Sequence, residues 1–355
     1  YADHLSMIEK IRELSSFLNI PVCILGDLCG PKIRVGKFEE KAIPLTNGEL
    51  VTITVEPVIG KKGLIPSQYL QLIQDIRLGQ TIFMDDGNLE LQVVSIDSPR
   101  RATLKVLKGG ILKDHKGMNL PGSALSVPAL TEKDHEDLKF CLAHDVDYVA
   151  LSFVRKASEI VDLREKIEAI TTEGLDTEYE KKKWMVSATR VIAKIEKPEA
   201  LQDIEGIIDA ADGIMIARGD LGVEMPLEKV PLIQAQLVKM ASQRNKPVIV
   251  ATQMLESMTS NAHPTRAEVS DVATAVLSGA DAVMLSGETA AGKYPVESVK
   301  IMDSIVREVE SYQWSQGHFG ALQKEGSIDP VSNTIARAAK LISKDLEIQI
   351  GRAHV

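Results

Sequence analysis

Six short, nearly continuous apolar runs, each closing in polar or charged groups, constrain this chain more than any other feature. They cover residues 21–28, 148–154, 191–196, 213–217, 247–252 and 282–286. A strand that is apolar in both alternating registers is buried on both faces, as in a parallel sheet covered by helices. Helical patterns such as Val230, Ile233, Leu237 and Met240 separate the runs, and the starts recur at roughly 25–40 residues, as βα units require. Periodicity does not distinguish a closed barrel from an open sheet, but the run ends do. Polar groups close nearly every run: Asp27, Ser152 and Arg155, Lys194 and Glu196, Arg218 and Asp220, Thr252 and Gln253, Ser286 and Glu288. An open sheet gathers its ligand groups at one switch point, whereas a barrel collects them from most strands onto one face. The expectation is an α/β fold, a (β/α)8 TIM barrel of which about six of the eight strands are visible. The other two are expected upstream of Tyr1, where the missing initiator Met also points.

Between the first two runs the texture changes. Val51, Ile53 and Val55 alternate with Thr52, Thr54 and Glu56; Leu89, Leu91 and Val93 alternate with Glu90 and Gln92; Leu104 and Val106 follow Thr103 and Lys105. Period-two alternation marks half-buried antiparallel strands, with Asp86-Gly87 and Gly109-Gly110 as turns. The expected organisation is barrel over 1–36, an inserted all-β lid domain over 37–117 and barrel again over 118–315. Residues 316–349 begin a truncated C-terminal α/β domain, in which 333–342 reads as an amphipathic helix. The polar stretch 171–183 reads as a solvated loop or helix extension, and 350–355 as a foreign tail.

Composition excludes several classes. Hydrophobic residues make up 44% and charged residues 26% of the 355, an ordinary globular balance. No apolar run approaches the roughly 20 residues that cross a membrane. A formal net charge of −9 argues against a general nucleic-acid surface. Three cysteines without metal-ligand spacing read as reduced thiols of a cytoplasmic protein.

The densest chemistry lies in Lys194-Ile-Glu196 and Ala217-Arg-Gly-Asp220. Residues two apart on a strand share a face, so Lys194 and Glu196 point the same way, and Asp220 closes the next run. Two hard carboxylates suit Mg²⁺, with a lysine beside them to stabilise phosphoryl or enolate charge; a structural salt bridge is the competing reading. Gly30-Pro-Lys-Ile-Arg34 forces a tight exit after Asp27 and adds Lys32 and Arg34 to the barrel mouth, or is simply a basic turn. Thr252 at a run end is either functional or a helix cap. Residues 287–294 supply the glycines and lysine of a P-loop, but Tyr294 stands where its Ser/Thr belongs, which argues against that motif.

The chain resembles the pyruvate kinase family over essentially all of residues 1–345. The carrying segments are Asp27-Leu-Cys-Gly-Pro-Lys-Ile-Arg34, Asp85-Asp-Gly87, Lys116-Gly-Met-Asn-Leu-Pro-Gly122, Leu151-Ser-Phe-Val-Arg155 and Ala193-Lys-Ile-Glu196. They continue through Met215-Ile-Ala-Arg-Gly-Asp-Leu-Gly-Val-Glu224, Ala251-Thr-Gln-Met-Leu-Glu-Ser-Met258, Pro264-Thr-Arg-Ala-Glu268 and Met284-Leu-Ser-Gly-Glu-Thr-Ala290. The resemblance implies transfer of the phosphoryl group of phosphoenolpyruvate to ADP, the last step of glycolysis. It implies that Lys194 stabilises the transition state and that Glu196 and Asp220 hold Mg²⁺ or Mn²⁺. The Gly219 backbone and Thr252 contact the substrate, Arg34 lies at the phosphates, and Lys116 contacts the nucleotide from the lid. Asp27 falls at the monovalent-cation position.

Three departures qualify the resemblance. The family's Asn-Phe-Ser-His-Gly segment and the arginine before it would precede Tyr1, most of the C-terminal domain would follow Leu346, and potassium-dependent members commonly carry Glu where Lys32 stands. The expectation is a fragment inactive by itself, from a potassium-independent homotetramer in which the Lys32 ammonium replaces K⁺. A non-catalytic remnant and a Mg²⁺-dependent oxoacid lyase on a related barrel are the alternatives. A lyase would share the carboxylate pair but has no reason to keep the insertion.

Overall fold

In the computed structural model, the described residues are 1–123, 127–172 and 189–316, with 334, 335, 338, 339 and 342. The expected loop over 171–183, the helix over 333–342, the domain start over 316–349 and the tail over 350–355 lie largely or wholly outside them. The chain forms two compact units, Tyr1–Asp212 with Ala217–Val230, and Gly213–Ile216 with Pro231–Val355.

The first unit opens with the helix Ala2–Leu18, which buries no residue. Its apolar positions Met7, Leu14 and Leu18 are exposed, while Leu5, Ile8 and Ile11 are half-buried on one face, where Arg12 also bonds to Asp147. Strand β1 (Leu25–Leu28) follows. The chain then leaves for the all-β insertion: β2 (Ala42–Leu45), β3 (Leu50–Thr54), β4 (Leu64–Pro66), β5 (Thr81–Met84), β6 (Leu89–Ser98), β7 (Arg101–Lys108), β8 (Gly110–Lys113) and β9 (Met118–Asn119). Six of these strands form a sheet in the order β4-β3-β7-β6-β5-β9, antiparallel except for β3 with β4. The alternation in sequence becomes alternation in burial, because successive side chains point to opposite faces of a sheet. Val51, Ile53, Leu91, Val93, Leu104 and Val106 all turn into one core.

At Gly109-Gly110 the structure departs from the expected hairpin. β8 pairs with β2, while β7 pairs with β3 and β6, so Gly109 passes the chain from one sheet to the other. A Cβ on Gly109 would lie 2.2 Å from the Leu45 carbonyl oxygen. This backbone approach needs glycine although φ is not positive. Gly109→Ala therefore lowers stability by about 1–3 kcal/mol, as overpacking generally does. A chemical-denaturation midpoint shifted accordingly checks this, and an unchanged midpoint refutes it.

After the insertion, Thr131 and Asp134 cap the helix Glu132–Ala143 reciprocally. Strand β10 (Tyr148–Leu151), the helix Ala157–Thr172 and β11 (Arg190–Ile195) follow. β1, β10 and β11 form a parallel ladder, with Asp27 opposite Ala150 and Ala150 opposite Ile192. The three strand ends are thereby level, and their closing polar residues come together.

The second unit holds residues of β12 (Gly213–Ala217), then β13 (Val248–Ala251) and β14 (Ala282–Val283). β13 and β14 are parallel, and the Ile214 amide donates to the Pro247 carbonyl. The expected run over 282–286 keeps only two strand residues, because the chain turns at Ser286 into the short helix Gly287–Ala290. That helix occupies the P-loop-like segment, where Glu288 is buried and accepts from the amides of Leu255 and Ser286.

Candidate active site

In the first unit, Asp27 is the last but one residue of β1, Ser152 follows β10, Lys194 is near the end of β11 and Glu196 follows it. The Lys194 ammonium lies 3.1 Å from both oxygens of Asp27, 2.8 Å from Ser152 Oγ and 3.2 Å from Glu196 Oε1. Exposure is graded along this row: 45% for the Asp27 side chain, 12% for Lys194 and 2% for Glu196. Burial by itself would lower the Lys194 pKa, but the charges of Glu196 and then Asp27 outweigh it, and the group stays protonated above its ordinary value.

Glu196 is fixed from a second side. Its Oε2 accepts the Phe153 amide at 2.7 Å. Phe153 adopts φ 56°, and Gly30 is pressed against it from the turn after β1. A Cβ on Gly30 would meet Phe153 Cδ2 at 3.1 Å and the Ser152 carbonyl oxygen at 3.3 Å, and its φ is +64°. Glycine in the basic turn thus permits the close contact behind Glu196. Burial raises the Glu196 pKa; Lys194 opposes this, and the neighbouring Asp220 carboxylate adds to it.

Asp220 lies in the first turn of the helix Arg218–Glu224, with Gly219 beside it. The Asp220 charge bears on the buried Glu196 carboxylate, and two such carboxylates form a donor set that a divalent cation would relieve. Their hard oxygens suit Mg²⁺ or Mn²⁺, with substrate and water filling the rest of the shell. Among the described residues no group of three or more His, Cys, Asp or Glu side chains could hold a metal, so this pair is a partial shell. It fits an ion shared with a substrate.

Asp220 also lines a cleft of about 20 Å³ with Pro31, Lys32, Ile33, Met118, Asn119, Phe153 and Lys197, room for about one water. Lys32 thus borders the same cleft as Asp220, while the ammonium on Asp27 is that of Lys194. At the base of the insertion Arg34 Nη1 donates to the His115 carbonyl at 3.0 Å, and Arg34 bridges Gly117. Lys116 pairs with Asp85 at 2.6 Å, a hydrogen bond that raises its pKa. The two basic residues thus occupy adjacent segments.

Thr252 belongs to the second unit. It follows β13 with φ 69°, and its hydroxyl donates to the Ala251 carbonyl at 2.6 Å. A β-branched residue in the left-handed region is strained, so Thr252 does not hold an ordinary helix-cap geometry.

Three residues of the first unit were not singled out from sequence: Lys197, Glu224 and Asn119. Glu224 pairs with Lys197 in the interior and accepts from Asn119 Nδ2 at 3.0 Å. Asn119 and Glu224 do lie within segments that carry the resemblance, and Lys197 follows directly on one.

The family model for the pyruvate kinase barrel domain matches residues 1–299. Pyruvate kinase 2 of Synechocystis sp. is 44% identical over 349 residues, which cover 98% of this chain and 56% of that protein. A pyruvate kinase of Mycobacterium tuberculosis is 46% identical over 310 residues, 87% of this chain and 62% of that one. Among solved structures, a pyruvate kinase from Cryptosporidium parvum superposes with a TM-score of 0.83 at 33% identity, covering 98% of this chain and 69% of that one. The chain spans little more than half the length of the Synechocystis relative.

Proposed function

The chain belongs to the pyruvate kinase family, and on that premise we propose that its site serves transfer of the phosphoryl group of phosphoenolpyruvate to ADP. The observation that carries the reading is the Lys194 ammonium held 3.2 Å from the buried Glu196, whose carboxylate feels that of Asp220. In the reaction the bond from phosphorus to the enol oxygen breaks and a bond to the terminal phosphate oxygen of ADP forms. The enolate left behind takes up a proton at carbon to give pyruvate.

Glu196 and Asp220 would hold the divalent ion, which neutralises charge on the phosphoryl and enolate oxygens when bound. Lys194 balances the charge that develops between them, from a position fixed beforehand by Asp27, Ser152 and Glu196. The Gly219 backbone would contact the substrate, and the resemblance gives Thr252 of the second unit a substrate contact as well. Arg34 and Lys116 meet the phosphates of the nucleotide, and insertion closure keeps water from the phosphoryl group.

The family uses a monovalent cation, generally potassium. Here Lys32 lines the cleft that contains Asp220, and we assign its ammonium potassium's electrostatic role. The protein acts in the cytoplasm as a homotetramer; among the described residues no helix is long and apolar enough to cross a membrane.

A lactate-dehydrogenase-coupled assay of the complete enzyme containing this chain tests the reading. Pyruvate should form only with both phosphoenolpyruvate and ADP, and adding K⁺ should raise the rate less than about twofold, because the fixed charge already fills the role. Pyruvate release without nucleotide would point to lyase chemistry, no turnover to a remnant, and strong activation by potassium would remove the role of Lys32.

A further inference from the structure

We infer that Lys197, Glu224 and Asn119 form a buried brace that sets the separation of Glu196 and Asp220 for a divalent cation. Lys197 follows Glu196 where β11 ends, and Glu224 lies one helical turn beyond Asp220 in the helix Arg218–Glu224. The Lys197–Glu224 ion pair therefore joins the segment of one carboxylate to the helix of the other. Both side chains are interior, 9% and 0% exposed.

The brace has further contacts. The Lys197 ammonium lies 5.9 Å from the centre of the Phe153 ring, and the backbone amide of that residue holds Glu196 Oε2. Asn119, in the last strand of the insertion and paired with Phe83 of β5, donates to Glu224 Oε1. Glu224 Oε2 is buried without a hydrogen bond among the described residues, so the carboxylate is anchored through one oxygen alone. A buried pair of this kind is a poor general stabiliser, because desolvation offsets most of its attraction. What it can supply is geometry: fixed partners behind metal ligands commonly change affinity by about 10–100-fold.

Charge and geometry make opposite predictions here. If Lys197 acted through its charge alone, removing the ammonium near the carboxylates would tighten binding of a dication. If it acts as a brace, removing it loosens binding. The double substitution Lys197→Met with Glu224→Gln leaves the net charge unchanged and strands no buried ion, so charge alone predicts no change.

The inference rests on the proposed metal-binding role of Glu196 and Asp220, and Mn²⁺ titration of the 355-residue chain, followed by the electron paramagnetic resonance signal of the free ion, tests both. Lys197→Met and the double variant should each weaken Mn²⁺ binding by about tenfold or more, at temperatures where circular dichroism shows them folded. Unchanged or tighter binding in either variant overturns the brace. Should the single variant not fold, the double variant decides alone. An unsubstituted chain that takes up no Mn²⁺, or takes it up equally well after Glu196→Gln, overturns the metal reading instead.

Discussion

Replacing Lys194 by methionine in the complete enzyme should lower the rate of phosphoryl transfer by about 10³-fold or more, the range found when a preorganised charge is removed from such a transition state. That factor corresponds to about 4 kcal/mol of transition-state stabilisation. The expectation follows from the placement of the ammonium. It is held by Asp27, Ser152 and Glu196 before any substrate arrives, so little reorganisation accompanies the reaction. Methionine keeps the length and apolar stem and removes only the charge. The substitution also leaves the buried Glu196 facing Asp220 without a cation, so folding stability should fall as well. Mn²⁺ titration separates the two effects: the Lys194 ammonium lies against Glu196 itself and repels a cation there, so affinity should hold or rise while the rate collapses. A rate within tenfold of the unsubstituted enzyme would rule out the role given to Lys194.

Glu196→Gln is expected to weaken Mn²⁺ binding by about 100-fold, the upper part of the range for changes at and around metal ligands, and activity at limiting metal should fall with it. The glutamine carbonyl can still accept the Phe153 amide, so the local fold is preserved while the ligand charge is lost. The unsubstituted protein should reveal the same carboxylate through pH. Burial raises the Glu196 pKa, and Asp220 adds to the effect against the pull of Lys194. Protons compete with the metal for the ionised form, so affinity falls on acidification, beginning at a higher pH than for an ordinary glutamate. In Glu196→Gln this onset should disappear. An identical pH profile in both proteins would show that Glu196 is not the titrating ligand.

Much of this architecture can be read directly from the residues, for physical reasons. Continuous apolar runs read as strands buried on both faces, which holds for β10 to β13 but less for the partly exposed β1 and β14. The closing polar residues met once β1, β10 and β11 paired in parallel register. Alternation in the insertion translated into burial because a pleated strand has period two. The connection at Gly109 was less legible: two glycines look the same in a hairpin and in a crossing between sheets, and only the partner strands distinguish them. The helix Ala2–Leu18 packs only partly: Leu5, Ile8 and Ile11 are half-buried while Met7, Leu14 and Leu18 stay exposed, a division that spacing alone does not fix. The carboxylate pair was visible from Lys194, Glu196 and Asp220 alone, whereas the brace was not. Nothing in Lys197 or Asn119 by itself distinguishes a buried structural role from a solvated one, and the connection becomes visible when β9 and the helix Arg218–Glu224 meet at Glu224.

The buried apolar cluster of the insertion draws its members from Ile33 to Leu120 and none from β1 or β10 to β14. Its packing is thus separate from that of the strands that carry Lys194 and Glu196. Aliphatic residues of β3, β6 and β7 can therefore be exchanged among themselves while Lys194, Glu196 and Asp220 stay where they are, with Asn119 as a side-chain link to Glu224.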